Sequence, residues 1–246
     1  WNAMNGMEWN GMEWNAISLL TEKTASYKNI SVMSLSSSYP QGAEKVLIYN
    51  TTGRIVKEGQ LPSDTGAVVL NVSTAAQISQ YLKTGMPIVK RRITVDGDTI
   101  GKPCNIFAPI GTPFSEILSF AQCDTEKLRK LIAGGPMMGM ALFGTDIPVT
   151  KTNSALLCMS KDEVAANAET PCIRCGKCVS VCPSHIVPVK MMKAALKGDC
   201  EAFEKVGGME CMECGSCTFI CPAKRPLTQA FKEMRKTVAA NRRKKA

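Results

Sequence analysis

The apolar and polar positions divide the chain into stretches with different patterns. Short apolar runs at residues 46–49 (VLIY) and 67–70 (AVVL), each bounded by turn residues, predict buried strands. Between Thr74 and Lys83 the apolar residues recur at helical spacing; Thr74 is a candidate cap and Gly85 a stop signal. This alternation of strand and helix is typical of part of an α/β unit.

The stretch from residue 88 to about 142 predicts a small module of strands and helices. Residues 92–100 predict a strand, an Asp-Gly or Gly-Asp turn and a second strand. Helices are predicted over residues 112–120, with a proline at the start, and 124–132, with Asp124 as the cap. The glycines of residues 134–139 indicate either a backbone that approaches a cofactor or partner, or ordinary turn and packing positions.

The remainder of the chain predicts helices. Ser160 and Glu163 form a capping box, which predicts a helix start. Residues 189–197 and 199–206 predict two more helices, and a pair of glycines stops the second. A last helix is predicted to open at Pro226 and to run to the C-terminal basic residues.

Two cysteine runs lie within this helical region. Each reads Cys-x2-Cys-x2-Cys-x3-Cys-Pro, and every position of the second run follows its counterpart by 39 residues. This spacing is typical of bacterial ferredoxins with two [4Fe-4S] clusters, in which the fourth cysteine of one run ligates the cluster of the other. One predicted cluster is therefore bound by Cys172, Cys175, Cys178 and Cys221, and the other by Cys211, Cys214, Cys217 and Cys182.

Zinc is the alternative to iron and sulfide, since Cys-x2-Cys pairs also form tetrahedral zinc sites. A zinc-stabilised nucleic-acid binder stays open on that interpretation. Eight thiolate ligands require a reducing compartment, and the other four cysteines are interpreted as small buried apolar residues. The single histidine, His185, is interpreted as a surface or helix-start residue. Three charged residues lie beside the ligands, Arg174, Lys177 and Lys224. They are interpreted as raising a cluster's reduction potential or docking an acidic ferredoxin partner, with solvated loop charges as the alternative.

The net positive charge of the chain is concentrated at the C-terminus. The formal charge is +9, and residues 224–246 contribute +8, from nine Lys or Arg and one Glu. This basic segment either stabilises the C-terminal end of a helix through the helix dipole or contacts anionic lipid.

No apolar run is long enough to predict a transmembrane helix, and no signal peptide is visible. Residues 1–16 repeat Asn-Gly-Met-Glu-Trp and are interpreted as an artefact or unassigned segment, with an aromatic docking segment as the alternative.

Several motifs together resemble the RnfC family, the C-subunits of Rnf electron-transport complexes. They are YPQGAEK at 39–45, GQLP at 59–62, NVST at 71–74, GGPMMG at 134–139 and PCIRCGK at 171–177. The resemblance covers roughly residues 39–236. It implies an α+β multi-domain chain with a partial α/β flavin-type region, a β-grasp (SLBB-like) module and an α-helical ferredoxin domain. The implied segments are 1–16 unassigned, 17–90 flavin-type remnant, 91–150 β-grasp, 151–236 ferredoxin domain and 237–246 basic tail.

The resemblance also implies a function. The Rnf complex is a membrane-bound, ion-translocating ferredoxin:NAD⁺ oxidoreductase, in which the C-subunit relays electrons through two clusters between an NADH/FMN site and its partners. The implied partners are the ferredoxin-like B-subunit and the membrane subunits, not nucleic acid, on the cytoplasmic face of the inner membrane. Asn71 and Thr74 match a segment near the FMN of a related respiratory flavoprotein. The family's glycine-rich flavin and NAD signature is absent, so the chain is expected to be the C-terminal part of a longer protein or one whose flavin region is missing. An iron–sulfur subunit of another dehydrogenase is the alternative.

Overall fold

A computed structural model of the protein describes residues 17–35, 39–162 and 168–245. The repeat at residues 1–16 and part of the helix predicted after Ser160 lie outside the described residues. The chain divides into two units, Trp1–Val69 and Leu70–Ala246.

The first unit contains helices where a strand was expected. Helix α1 spans residues 17–24, helix α2 spans Glu44–Thr52, and a 3₁₀ turn spans Pro62–Thr65. The strand predicted at residues 46–49 is wrong, because these residues form the middle of α2. A four-residue apolar run fits either element, and here the hydroxyl of Thr52 donates to the Ile48 carbonyl at 2.7 Å while Gly53 (φ 72°) closes the helix. Residues 67–70 belong to no strand of the described chain, and Val68 and Leu70 are exposed, so the buried strand predicted there is also wrong.

Helix α3, Val72–Thr84, begins the second unit and confirms the helix predicted there. Its N-cap is Asn71 rather than Thr74, since the Asn71 Oδ1 atom accepts a hydrogen bond from the Ser73 N–H at 2.9 Å. Gly85 ends the helix with φ 69°, a left-handed conformation that suits glycine.

A five-stranded sheet follows, in the order β2-β1-β5-β3-β4. Strands β1 and β5 are parallel at its centre, and the other neighbouring pairs are antiparallel. Helix α4, Phe114–Phe120, packs on the sheet, and the core between them includes Ile93, Val95, Phe114, Leu118 and Leu156. The strands are β1 Lys90–Asp96, β2 Cys104–Pro109, β3 Lys130–Ala133, β4 Met140–Leu142 and β5 Ala155–Met159.

Two predictions in this region are wrong in detail. The partner strand of β1 begins at Cys104, whereas Ile100 makes only an isolated bridge to Cys123. The helix predicted from Asp124 to Ile132 is a turn followed by β3, because Leu131 and Ile132 are buried in the sheet by pairing with β4 and β5. The helix predicted to end at Phe120 is confirmed as α4.

The C-terminal part is helical, as predicted, and has its own core. Asp199 caps helix α7 through the Ala202 N–H at 2.9 Å, and α6 starts at Pro188. The core includes Met191, Phe203, Leu227, Phe231, Met234 and Val238. The helices are α5 Lys177–Ser180, α6 Pro188–Leu196, α7 Cys200–Lys205, α8 Ser216–Ile220 and α9 Leu227–Lys245.

The basic C-terminal segment continues α9 rather than leaving it. The side chain of Arg242 forms an ion pair with Glu204 of α7, with an Nη2 to Oε1 distance of 2.6 Å. Phe231, Met234 and Val238 form a buried stripe along the same helix. No helix among the described residues combines the length and the apolar character that crossing a membrane requires.

Candidate metal centres

The two cysteine runs have the same backbone. Arg174 (φ 57°) and Glu213 (φ 56°) occupy the same position in the two loops, and both are left-handed. The glycines that follow, Gly176 and Gly215, have φ values of 75° and 86°. A left-handed residue other than glycine is uncommon, so its recurrence 39 residues later shows that the duplicated spacing encodes a duplicated loop.

A short helix follows each loop and carries the third cysteine. Cys178 lies in α5 and Cys217 lies in α8. The fourth cysteine lies within two residues of the helix end, where the Cys182 N–H donates to the Val179 carbonyl and the Cys221 N–H donates to the Thr218 carbonyl, both at 3.2 Å.

The first three cysteines of the first run meet the last cysteine of the second. Burial raises the pKa of the Cys178 thiol, and the neighbouring thiols of Cys221, Cys172 and Cys175 raise it further. Electrostatic coupling of this kind requires proximity. The structure therefore brings together the four residues predicted for one cluster.

The other four predicted ligands line a single cavity in the helical part. Cys182 comes from the first run and joins Cys211, Cys214 and Cys217 there, with Phe231 of α9 also lining the cavity. Burial raises the pKa of Cys211 to about 11 and also raises the pKa of Cys217. The cavity therefore brings the fourth cysteine of the first run to the first three of the second run.

These donor sets fit iron–sulfur clusters chemically. All twelve cysteines are free thiols, and four cysteines per site match the donor number of a [4Fe-4S] cluster. A buried thiol keeps its proton unless a cation offsets the thiolate charge, so metal insertion at Cys211 or Cys217 must release protons. Among the described residues, no three His, Cys, Asp or Glu side chains converge as ligands of a single metal ion.

Polar groups beside the second run contact its sulfurs. The Glu213 N–H donates to Cys211 Sγ at 3.4 Å, and the Cys214 thiol lies 3.5 Å from the Ser216 hydroxyl. Cys217 Sγ lies 3.7 Å from the Thr228 hydroxyl. Sequence reasoning missed these hydroxyls, although alignment of the two runs would have found them, since residues 216 and 228 correspond to Lys177 and Val189.

The glycine-rich segment at residues 134–139 packs against the second loop. A Cβ on Gly215 would lie only 2.7 Å from the carbonyl oxygen of Met137. Within the segment, the Gly139 N–H donates to the Gly135 carbonyl at 2.8 Å, and a Cβ on Gly139 would clash with that carbonyl. These glycines serve turn and packing roles, and they place the sheet's β3–β4 connection beside a cysteine loop.

The remaining residues singled out by sequence lie apart from the sulfurs or at the surface. Asn71 is exposed and caps α3, while Thr74 is half-buried in the first turn of that helix. The four charged or titratable residues near the ligands are exposed, namely Arg174, Lys177, His185 and Lys224. The four other cysteines belong to the two apolar cores, Cys104, Cys123 and Cys158 in the first and Cys200 in the second.

Family comparisons agree with this geometry. Residues 164–222 match the model of the 4Fe-4S dicluster domain, so this segment is similar to domains that bind two iron–sulfur clusters. Residues 7–80 match the Nuo51 FMN-binding domain, so a flavin-domain sequence precedes the cluster domain. These matches favour iron–sulfur clusters over the zinc alternative.

Relatives define the family more closely. The chain is 44% identical over 229 residues to the C-subunit of the Na⁺-translocating ferredoxin:NAD⁺ oxidoreductase complex of Acetobacterium woodii, covering 93% of this chain and 52% of the relative. It is 44% identical over 220 residues to the proton-translocating counterpart of Clostridium ljungdahlii, covering 88% and 48%. The C-subunit of the ion-translocating oxidoreductase complex of Rhodobacter capsulatus is 42% identical over 193 residues, with 78% and 37% covered.

The chain is homologous to these C-subunits over the region that it shares with them. It spans about half the length of the first two relatives.

Proposed function

We propose that this chain is the electron-relaying part of the C-subunit in an ion-translocating ferredoxin:NAD⁺ oxidoreductase. The observation that carries the proposal is the pair of crossed four-cysteine sets within a sequence that matches a dicluster domain. The names of its relatives supply the reaction. The activity belongs to the complex, and this chain contributes the relay.

The proposed ligands of the first cluster are Cys172, Cys175, Cys178 and Cys221, and those of the second are Cys211, Cys214, Cys217 and Cys182. Bound clusters supply one-electron transfer, with potentials set by their surroundings. The protein holds the two sites close together, because each run gives its last cysteine to the other site. It also shields the second site, where Cys217 of α8 is buried in the core that α9 contributes to.

The sheet is proposed to be a β-grasp module. The order β2-β1-β5-β3-β4, the β1–β2 hairpin and the central parallel pair support this assignment. The proposed domains are a flavin-type remnant at residues 17–90, the β-grasp module from residue 91, the ferredoxin domain to residue 236 and the basic segment after it. The predicted limit of the module at residue 150 lies before β5, which pairs with both β1 and β3, so we extend the proposed module through β5.

The flavin-type region is proposed to contribute to an FMN site in the full-length protein. The match to the FMN-binding family at residues 7–80 includes Asn71 and Thr74, at the N-terminal end of α3. Free N–H groups at a helix N-terminus favour phosphate groups, which FMN carries. NADH is the proposed electron source or acceptor of the complex. The ferredoxin-like B-subunit and the membrane subunits are the proposed partners, at the cytoplasmic face of the membrane.

An analysis of the anaerobically purified chain tests this proposal. Iron and sulfide assays, with low-temperature EPR of the reduced protein, should give about eight iron atoms and two interacting clusters per chain. Cys178→Ser should remove about half of the iron, whereas Cys200→Ser, a cysteine in the apolar core, should remove none. A native preparation without inorganic sulfide would exclude the proposal. Co-purification with membrane subunits, rather than with a soluble dehydrogenase, would establish the complex.

A further inference from the structure

A pair of threonine hydroxyls stands beside the most buried ligand. Thr228, in the first turn of α9, has its Oγ1 atom 3.7 Å from Cys217 Sγ and 2.8 Å from Thr218 Oγ1. The Thr228 N–H also donates to Thr218 Oγ1, at 2.8 Å. The two side chains and the Thr228 N–H therefore form a hydrogen-bonded ring. The Thr228 hydroxyl is the group of this ring that lies beside Cys217 Sγ.

The direction of these hydrogen bonds follows from the chemistry of the groups. A ligand thiolate has no proton and can only accept. Thr218 Oγ1 accepts the Thr228 N–H, so its own proton is available for Thr228 Oγ1. The Thr228 hydroxyl proton is then free to point at Cys217. Polarisation by the neighbouring donors strengthens such a chain.

The first run has no hydroxyl at either position. Val179 corresponds to Thr218 and Val189 to Thr228, each 39 residues earlier. The correspondence is structural as well, since Val189 is the second residue of α6 and Thr228 is the second residue of α9. The two sites thus share their ligand loops and differ in this donor.

The donor lies at the site that has less contact with water. Cys217 is 9% exposed, whereas Cys172 and Cys175 of the first run are exposed. Each one-electron reduction adds one negative charge to a site, and no bond forms or breaks. Burial opposes the added charge, and a hydrogen bond donated to a ligand sulfur stabilises it.

We propose that the Thr228 hydroxyl raises the reduction potential of the buried site and so offsets the effect of its burial. This inference rests on the two-cluster relay proposed above. The consequence for the relay is that the two sites stay close in potential, so that an electron crosses between them without a large energetic step. Thr218 acts through Thr228 by orienting its hydroxyl.

Redox titration of the anaerobic holoprotein with dithionite, followed by EPR, tests this role. Thr228→Val should make reduction of one cluster about tenfold less favourable, which is about 59 mV for one electron, and leave the other cluster unchanged. Thr228→Ser, which keeps the hydroxyl, should restore the original potential. Thr237→Val is the matched control, because Thr237 lies on the same helix and its hydroxyl donates to the Glu233 carbonyl at 3.1 Å.

A second variant tests the inference even if Thr228→Val fails to bind its cluster. Thr218→Val leaves the hydroxyl beside Cys217 in place but removes its orienting partner, and a smaller shift of the same cluster in the same direction is expected. Two intact clusters with unchanged potentials in both valine variants would overturn the inference, as would equal shifts of both clusters. A wild-type protein without clusters would instead refute the relay itself, and iron and sulfide assays separate the two failures.

Discussion

The two cysteine runs are alike in backbone and unlike in surroundings. Arg174 and Glu213 have nearly the same left-handed conformation but opposite charge. Val189 and Thr228 occupy the same helix position, and one of them brings a hydroxyl to a ligand sulfur. The comparison shows that spacing fixes how a site is held, whereas residues between and beyond the ligands fix its environment.

The difference arises from what each run packs against. The second run lies within the helical core, with Phe231 lining its cavity and the Met137 carbonyl against Gly215. The loop of the first run is exposed from Cys172 to Lys177. Electrons are more easily exchanged with a partner at an exposed site, so we expect the first run to face the partner and the second to face the interior.

Replacement of the third ligand should have the largest effect and should separate the two runs. Cys217→Ser and Cys178→Ser should each remove about four of eight iron atoms. The free energy of unfolding should fall about 1 kcal/mol further for Cys217→Ser, because a polar hydroxyl then replaces sulfur at a buried position, with the Thr228 hydroxyl as its neighbour. Iron assays and urea unfolding under anaerobic conditions measure both quantities. Equal losses of stability would show that the two environments do not differ as described.

Glycine replacement should give the next largest difference. Gly176→Ala introduces a side chain at positive φ into open space and should cost about 1 kcal/mol. Gly215→Ala adds a clash with the Met137 carbonyl and should cost about 3 kcal/mol in total. Thermal unfolding of the two holoproteins gives the comparison. A matching cost at both positions would contradict the packing of residues 134–139 on the second loop.

Thiol reactivity should distinguish the runs in the iron-free chain. The thiolate is the reacting species, and burial raises the pKa of Cys211 to about 11, so alkylation of Cys211 should keep accelerating as the pH rises toward that value. Exposed Cys172 and Cys175 should react about tenfold faster or more at pH 8. Cys158, whose pKa burial raises to about 12, is the slow internal standard. Peptide mass spectrometry measures each rate, and uniform rates would argue against this difference in burial.

The opposite charges at the equivalent loop positions, Glu213 and Arg174, should have the smallest effect on stability. Glu213 forms a partly buried ion pair with Arg235, in which the two side chains are 26% and 30% exposed. Glu213→Gln should cost about 1 kcal/mol, and Arg174→Gln, at the exposed counterpart, less than about 0.5 kcal/mol. Denaturant titration in low salt measures both. A larger loss of stability for Arg174→Gln would contradict the view that only the second loop is stabilised by an ion pair at this position.

Local signals in the sequence predicted the ligand loops and the helices around them. The cysteine spacing, Pro188 and the Asp199 cap each act within a few residues, so no distant partner was needed to interpret them. The strand at 46–49 failed because a short apolar run fits a helix equally well. Residues 130–133 became a strand through pairing with β5, more than twenty residues later, which no local pattern encodes.

The environment of each site was harder to predict for the same reason. Thr228 lies eleven residues after Cys217 and reaches it only because α9 packs back on α8. The contact of Met137 with Gly215 joins segments that are still farther apart in the chain. Alignment of the two runs would have identified Thr228 as a difference, but not its distance from a sulfur.

The crossed arrangement depends on the exchange of the fourth cysteine between the runs, and EPR of Cys182→Ser distinguishes it from the uncrossed one. Cys214→Ser and Cys175→Ser serve as references that mark the signals of the second and first clusters. If the ligands are crossed, Cys182→Ser should alter the same signal as Cys214→Ser and leave the other intact. If Cys182→Ser alters the signal marked by Cys175→Ser instead, each run binds its own cluster and the crossed arrangement is wrong.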